Sequence, residues 1–210
     1  MKLIKFVVFF IVIGLSVNLM TASVCLAGSD ATSQLKNTIN TVIKIAKDES
    51  LKSSKDDRKM AMRKAIDERF SYSQMVRRSL GKTWDSLSDQ EKQSFIKLFK
   101  GLLENSYASK LESYSDEKIN FTDEVVKGKY ALVKTDVVRA NSTIGVDYKL
   151  ILDNGKWEVY DFVIEGVSMV RNYKSQFTKI IRKDSYEALV EKLTKKINEL
   201  EKGSKKTDNL

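Results

Sequence analysis

The side chains of this sequence that could carry chemistry are carboxylates. Asp147, Asp161 and Glu165 lie within or beside an apolar stretch running from about Val146 to Ile164. A carboxylate enclosed by apolar groups can act as a general base in proton transfer near neutral pH. The chain has no histidine, and its one cysteine, Cys25, lies near the N-terminus. The usual base of a serine or cysteine hydrolase and the commonest zinc ligands are therefore missing. No catalytic group and no metal site is assigned, and what remains is carboxylate chemistry or binding. Asp161 has no partner acid, so it reads as a structural acceptor of bonds from a helix terminus or an arginine. Glu165, Gly166 and Ser168 stand where a strand gives way to a helix. They read either as the mouth or hinge of a pocket or as a turn followed by an N-cap serine.

Positioning these groups takes three blocks of structure. In the N-terminal half, Leu35, Ile39, Val42, Ile43 and Ala46 recur at helical spacing behind a cap at Thr32 or Ser33. A second helix starts from Ser54, with Asp57 three residues on, and presents Met62, Ile66 and Phe70. It gives way at Ser71 to a shorter segment that stops at Gly81. Ser88 and Glu91 can each bond the other's free backbone amide, which predicts a helix from Ser88 to about Ser113. Its apolar stripe, which includes Phe95, Leu98, Phe99, Leu102, Leu103 and Tyr107, is wider than one packed seam needs.

Between about Lys118 and Ile164 the apolar period changes from helical to two. Ala131, Val133, Thr135 and Val137 share one face of a strand, and Val146, Tyr148, Leu150 and Leu152 share one face of the next. Asn154-Gly155 supplies the positive-φ pair of a two-residue hairpin. The returning strand, Trp157 to Ile164, is apolar on both faces apart from Glu158 and Asp161, and so belongs inside the sheet. Helical spacing then resumes with Val170, Tyr173, Phe177 and Ile180, and again with Leu189, Leu193, Ile197 and Leu200. The fold class is α+β: a curved antiparallel sheet of about four strands, covered by six to seven helices and enclosing an apolar pocket. By pattern alone, each of Phe95, Phe99, Leu103, Tyr107, Tyr148, Tyr160 and Phe177 reads as ordinary core before it reads as pocket lining, and the pattern does not show a cavity.

The N-terminus carries Lys2 and Lys5, an apolar run from Phe6 to Leu19, and small residues at Ala22, Ser23 and Ala27. That is the pattern of a signal peptide, residues 1–27, with cleavage after Ala27. The run is too short for a spanning helix. A lipoprotein anchored through Cys25 is the competing reading. The expected organisation is one domain over 28–201 and a disordered basic tail over 202–210. The net charge of +9 becomes +7 without Lys2 and Lys5. Export argues against nucleic acid as a partner and leaves anionic headgroups, acidic protein patches, or a basic surface that serves solubility.

The stretch VYDFVIEGVSMVRNYKSQF, Val159 to Phe177, resembles the signature of the MlaC, or toluene-tolerance, family of periplasmic phospholipid-binding proteins. Met75 to Gly81 with Trp84 resembles that family's MARRxLGxxW segment. Phe95, Phe99, Leu102, Leu103, Asn105, Tyr107 and Ala108 follow its FxxxFxxLLxNxYA helix. The resemblance spans about Ile66 to Leu193; the N-terminal helix matches only in character, and the absence of proline departs from the family.

It implies a nuclear-transport-factor-like cone with acyl tails inside and the headgroup at the mouth, no catalysis, and no cofactor beyond phospholipid cargo. Pocket lining carries over to Met75, Leu80, Phe99, Leu103, Tyr107, Tyr148, Leu150, Ile164, Val167, Tyr173 and Phe177, and the mouth to Glu165, Gly166 and Ser168. The implied partners are an inner-membrane Mla ABC transporter complex with its MlaD-type subunit and an outer-membrane MlaA-type lipoprotein complex; the sequence leaves the oligomeric state open, with a monomer as the default expectation. The alternative is an exported enzyme of the same cone class using Asp161 or Glu165.

Overall fold

The computed structural model describes residues 31–51, 54–112 and 117–207. The expected signal peptide, Cys25 and the last residues of the expected tail, 208–210, lie outside them.

Helix α1 (Ala31–Ala46) buries Ala31 and Leu35, and α2 (Lys55–Asp67) buries Met62 and Ala65. Ser54 caps α2 by accepting a bond from the Asp57 amide at 3.4 Å. The chain then does something the sequence does not announce. Arg69–Ser71 runs beside a strand, with the Ser71 amide donating to the Val159 carbonyl at 2.9 Å and the Val159 amide to the Arg69 carbonyl at 2.8 Å. Gln34 fastens α1 to the same place, its side-chain oxygen accepting from Arg69 at 2.6 Å and from the Trp157 amide at 2.9 Å.

Helix α3 (Tyr72–Leu80) ends at Gly81, whose φ of +58° suits a residue without a Cβ. After the short α4 (Lys82–Ser86), α5 (Asp89–Glu112) opens with the expected reciprocal cap. The Ser88 amide donates to Glu91 at 2.8 Å, and the Glu91 amide to the Ser88 hydroxyl at 3.3 Å.

Five antiparallel strands follow in chain order: β1 (Lys118–Lys127), β2 (Tyr130–Arg139), β3 (Ser142–Asp153), β4 (Lys156–Ile164) and the two-residue β5 (Val167–Ser168). The expected four long strands are present, with β5 added. Asn154 and Gly155 take φ of 47° and 78°, as the β3–β4 hairpin requires. The register shifts between Phe121 and Asp123 in β1, and again where Lys149 pairs with Asp161 but Leu150 with Val159. The second shift leaves Tyr160 unpaired. Such bulges bend and twist strands, and here they curl the sheet.

Helix α6 (Met169–Lys183) packs against α3, and α7 (Tyr186–Thr207) packs against α5 and α6. The helix of α7 thus continues to Thr207, past the point where the sequence suggested a disordered tail. Phe177 is clamped between Phe95 and Phe99 in edge-on contacts with centroid distances of 5.7 and 6.1 Å. Leu150, Val159 and Leu189 are fully buried with them. Aromatic pairs in this arrangement add about 0.5–1.5 kcal/mol each to the area they bury.

Candidate functional site

The curl of the sheet leaves a cavity of about 300 Å³ between its concave face and the helices. Ile119, Val137, Val146, Tyr148, Phe162 and Ile164 come from four successive strands. They share a face because Val146 and Tyr148 stand directly opposite Ile164 and Phe162 in the β3–β4 pairing. The opposite wall is Met62 and Ile66 of α2, Phe70, Tyr72 of α3, and Leu103 and Tyr107 of α5. The rings interlock: Phe162 lies edge-on to Tyr107 at 5.5 Å and to Phe70 at 6.2 Å.

The polar atoms on this wall are held neutral or tied down. Burial pushes the Tyr148 hydroxyl up to about 12, and burial raises Tyr107 as well. The Tyr107 hydroxyl meets the Met169 sulfur at 2.8 Å. Burial, reinforced by the nearby Asp67 carboxylate, raises Tyr72, which donates to that carboxylate at 3.0 Å. Uncharged walls of this kind favour an apolar occupant.

Five charged side chains complete the lining: Lys59, Arg63, Glu104, Glu117 and Arg139. Arg63 faces Glu104 at 3.9 Å, and Arg139 faces Glu117 at 3.3 Å. The two arginine side chains keep 38% and 45% of their exposure, so the cavity meets solvent here. Lys100 extends the ladder by bridging Glu104 and Asp67.

Of the residues singled out in the sequence, Leu103, Tyr107, Tyr148 and Ile164 border the cavity. Met75, Leu80, Phe99, Leu150 and Phe177 are buried in the adjoining core, and Tyr173 packs on Phe99 and Phe177. Val167 is 52% exposed. Helix α6 stacks on α3 and α5 and fills the space beneath it with Phe177, so α2 rather than α6 faces the cavity. The stripe Met62, Ile66, Phe70, with Lys59 and Arg63 beside it, was the signal for this; a helix face alone does not say which neighbour it meets.

Glu165, Gly166 and Ser168 do not border the cavity. Glu165 and Gly166 form a second positive-φ turn, φ 49° and 78°, and the Glu165 carboxylate accepts from the Gly145 amide at 2.6 Å. Ser168 caps α6 by accepting from the Arg171 amide at 3.1 Å. Asp161, 3% exposed, accepts from the Ser168 hydroxyl at 2.7 Å, the Val170 amide at 3.0 Å and the Lys149 ammonium at 3.0 Å. It therefore anchors the start of α6, where the helix dipole also favours a carboxylate. Asp147 is likewise away from the cavity.

The chain matches the family model described as MlaC protein over residues 36–195. It is 28% identical over 120 residues to the intermembrane phospholipid transport system binding protein MlaC of Haemophilus influenzae, an alignment covering 54% of this chain and 56% of that protein. The matched stretch is thus about half the length of that relative. The fold is similar to the solved structure of a phospholipid-binding protein from Ralstonia solanacearum in complex with a phospholipid. The TM-score is 0.75 at 21% identity, covering 82% of this chain and 99% of that one. The family match extends from within α1 into α7 and takes in every element that builds the cavity: this chain belongs to the MlaC family.

Proposed function

We propose that this protein is a periplasmic phospholipid carrier that takes acyl tails into the cavity beneath its curled sheet and leaves the headgroup among Lys59, Arg63 and Arg139. The observation that carries the reading is a cavity with aromatic and aliphatic walls whose charged residues gather at its opening, where Arg63 and Arg139 each face a carboxylate. Family membership and the phospholipid held by the similar Ralstonia solanacearum protein support it. Each methylene exposed to water costs about 0.8 kcal/mol, so a free two-tailed lipid crossing an aqueous gap faces a barrier of roughly 20 kcal/mol or more. A preformed apolar cavity removes most of that barrier without covalent chemistry. The arginines reach a phosphate by exchanging their carboxylate partners for it, a bidentate fit that guanidinium makes well.

On this reading the signal peptide sends the chain to the periplasm. There it passes lipid between an outer-membrane MlaA-type complex and an inner-membrane complex with an MlaD-type subunit. The enzyme reading has less support, because Asp147, Asp161 and Glu165 all lie off the cavity and the carboxylates that border it face arginines. Organic extraction of the purified mature protein followed by mass spectrometry tests the proposal. Diacyl phospholipid near one per chain is expected, and gently purified, folded protein without lipid would overturn it.

A further inference from the structure

Helix α6 reads MVRNYKSQFTKIIRK, with five cations and no carboxylate. More than half of the chain's net charge of +9 thus sits in one helix. Arg171, Lys174 and Arg182, with Ser175 and Thr178 between them, recur at helical spacing along one stripe, and Lys179 stands beside it. The four cations are exposed, and none of the ion pairs among the described residues involves them. The neighbouring α3 also lacks any carboxylate and adds the exposed Arg77. Asp184, just past the end of α6, is bonded to Lys192 at 2.6 Å.

Helix stability does not account for the stripe as a whole. Like charges three and four residues apart repel, and Arg171 sits in the first turn, where the dipole disfavours a cation. Lys174 lies along the C-terminal end of α3, since a Cβ at Gly81 would stand 3.5 Å from its Cε, and Arg182 lies in the last turn, where the dipole favours a cation; Arg171 and Lys179 gain neither contact. No residue of α6 borders the cavity, so the stripe is distinct from the arginines at the mouth.

We infer that the stripe Arg171, Lys174, Lys179 and Arg182 is a docking surface for a protein that presents a carboxylate-rich patch. A bilayer fits less well. An interfacial helix needs a free apolar side, whereas Val170 and Phe177 of α6 are buried in the core, and the exposed large apolar side chains, Met60, Val125, Val126, Tyr130 and Val167, lie on neither helix. Short Ser175 and Thr178 leave the stripe low enough for an approaching surface to reach every cation. Complementary charge of this kind chiefly raises the rate and the specificity of encounter, as a carrier that must release its partner requires.

The test uses the mature chain and the triple variant Arg171→Glu, Lys179→Glu, Arg182→Glu. A control with the same net charge carries Lys44→Glu, Lys127→Glu and Lys195→Glu, all exposed. The probes are poly-L-glutamate, vesicles of phosphatidylglycerol with phosphatidylcholine, and vesicles of phosphatidylcholine alone. The stripe variant should bind poly-L-glutamate at least tenfold more weakly than the wild type, while the control weakens less than threefold. Raising the salt should erase the difference between them. Equal loss in both variants would show bulk charge rather than a surface, and selective loss of binding to the anionic vesicles would show a membrane face; either overturns the inference. Co-purified lipid is measured on the same samples. A stripe variant that keeps its lipid but loses poly-L-glutamate binding separates docking from the carrier reading, and an empty wild type defeats the carrier reading alone.

Discussion

Tyr148 and Phe162 stand opposite each other in the β3–β4 pairing and both border the cavity, whereas Leu150, two residues along β3, pairs with Val159 in the closed core. The boundary between empty space and packed interior therefore falls between two neighbouring inward positions of one strand.

That boundary predicts opposite outcomes for one kind of substitution. Leu150→Trp has no room to expand into and should cost about 1–3 kcal/mol in overpacking. Tyr148→Trp or Leu103→Trp can project into the cavity, so each should melt close to the wild type and purify with much less lipid. Thermal unfolding beside quantitative lipid extraction checks this. If Tyr148→Trp melts as low as Leu150→Trp and keeps full cargo, the cavity is not where lipid sits.

Arg63→Gln with Arg139→Gln removes the two guanidinium groups at the cavity's opening. Tails should still be enclosed, but the affinity for phosphatidylglycerol should fall several-fold, and its remaining salt dependence should be shallower. Competition between phosphatidylglycerol and phosphatidylethanolamine for delipidated protein is the measurement. An unchanged preference would assign the headgroup to other residues.

Asp161→Asn keeps the shape of the side chain but cannot accept equally from Ser168, the Val170 amide and Lys149. Hydrogen bonds to a charged group contribute about 1.5–3 kcal/mol, and a loss of stability near 2 kcal/mol is expected. Lipid content should not change. Urea unfolding with extraction reads both, and a variant as stable as the wild type would refute the anchoring role.

The raised Tyr148 hydroxyl makes stability fall in alkali. The folded state holds the phenolic proton up to about 12, whereas an unfolded tyrosine releases it near 10. The folded protein then binds more protons across that interval. The stabilisation present below pH 10 is therefore lost progressively between about pH 10 and 12. Tyr72 and Tyr107 shift the same way, so Tyr148→Phe should reduce the alkaline loss without abolishing it. Unfolding midpoints against pH, with tyrosinate absorbance followed in parallel, would reveal it; identical profiles for the two proteins would count against a raised Tyr148 hydroxyl.

Local rules were readable without coordinates because they act over a few residues. The reciprocal Ser88–Glu91 cap, the Gly81 stop, the Asn154-Gly155 hairpin and the period-two faces of β2 and β3 each depend on neighbours in the chain, and each appears as the pattern implied. The family resemblance was equally legible, since its three segments are linear strings. What needed the tertiary structure was the wall of the cavity. Unpaired Tyr160 inserts one residue into β4, so Val159 before it and Phe162 and Ile164 after it all turn inward, while Asp161 turns away to hold α6. A strand read with strict alternation cannot place those side chains, because the bulge is decided by pairing with β3 and not by β4 alone. The choice of α2 over α6 as the facing helix has a similar origin. Both carry an apolar stripe, and only the packing of Phe177 between Phe95 and Phe99 fixes α6 in the core and leaves Met62, Ile66 and Phe70 to border the space.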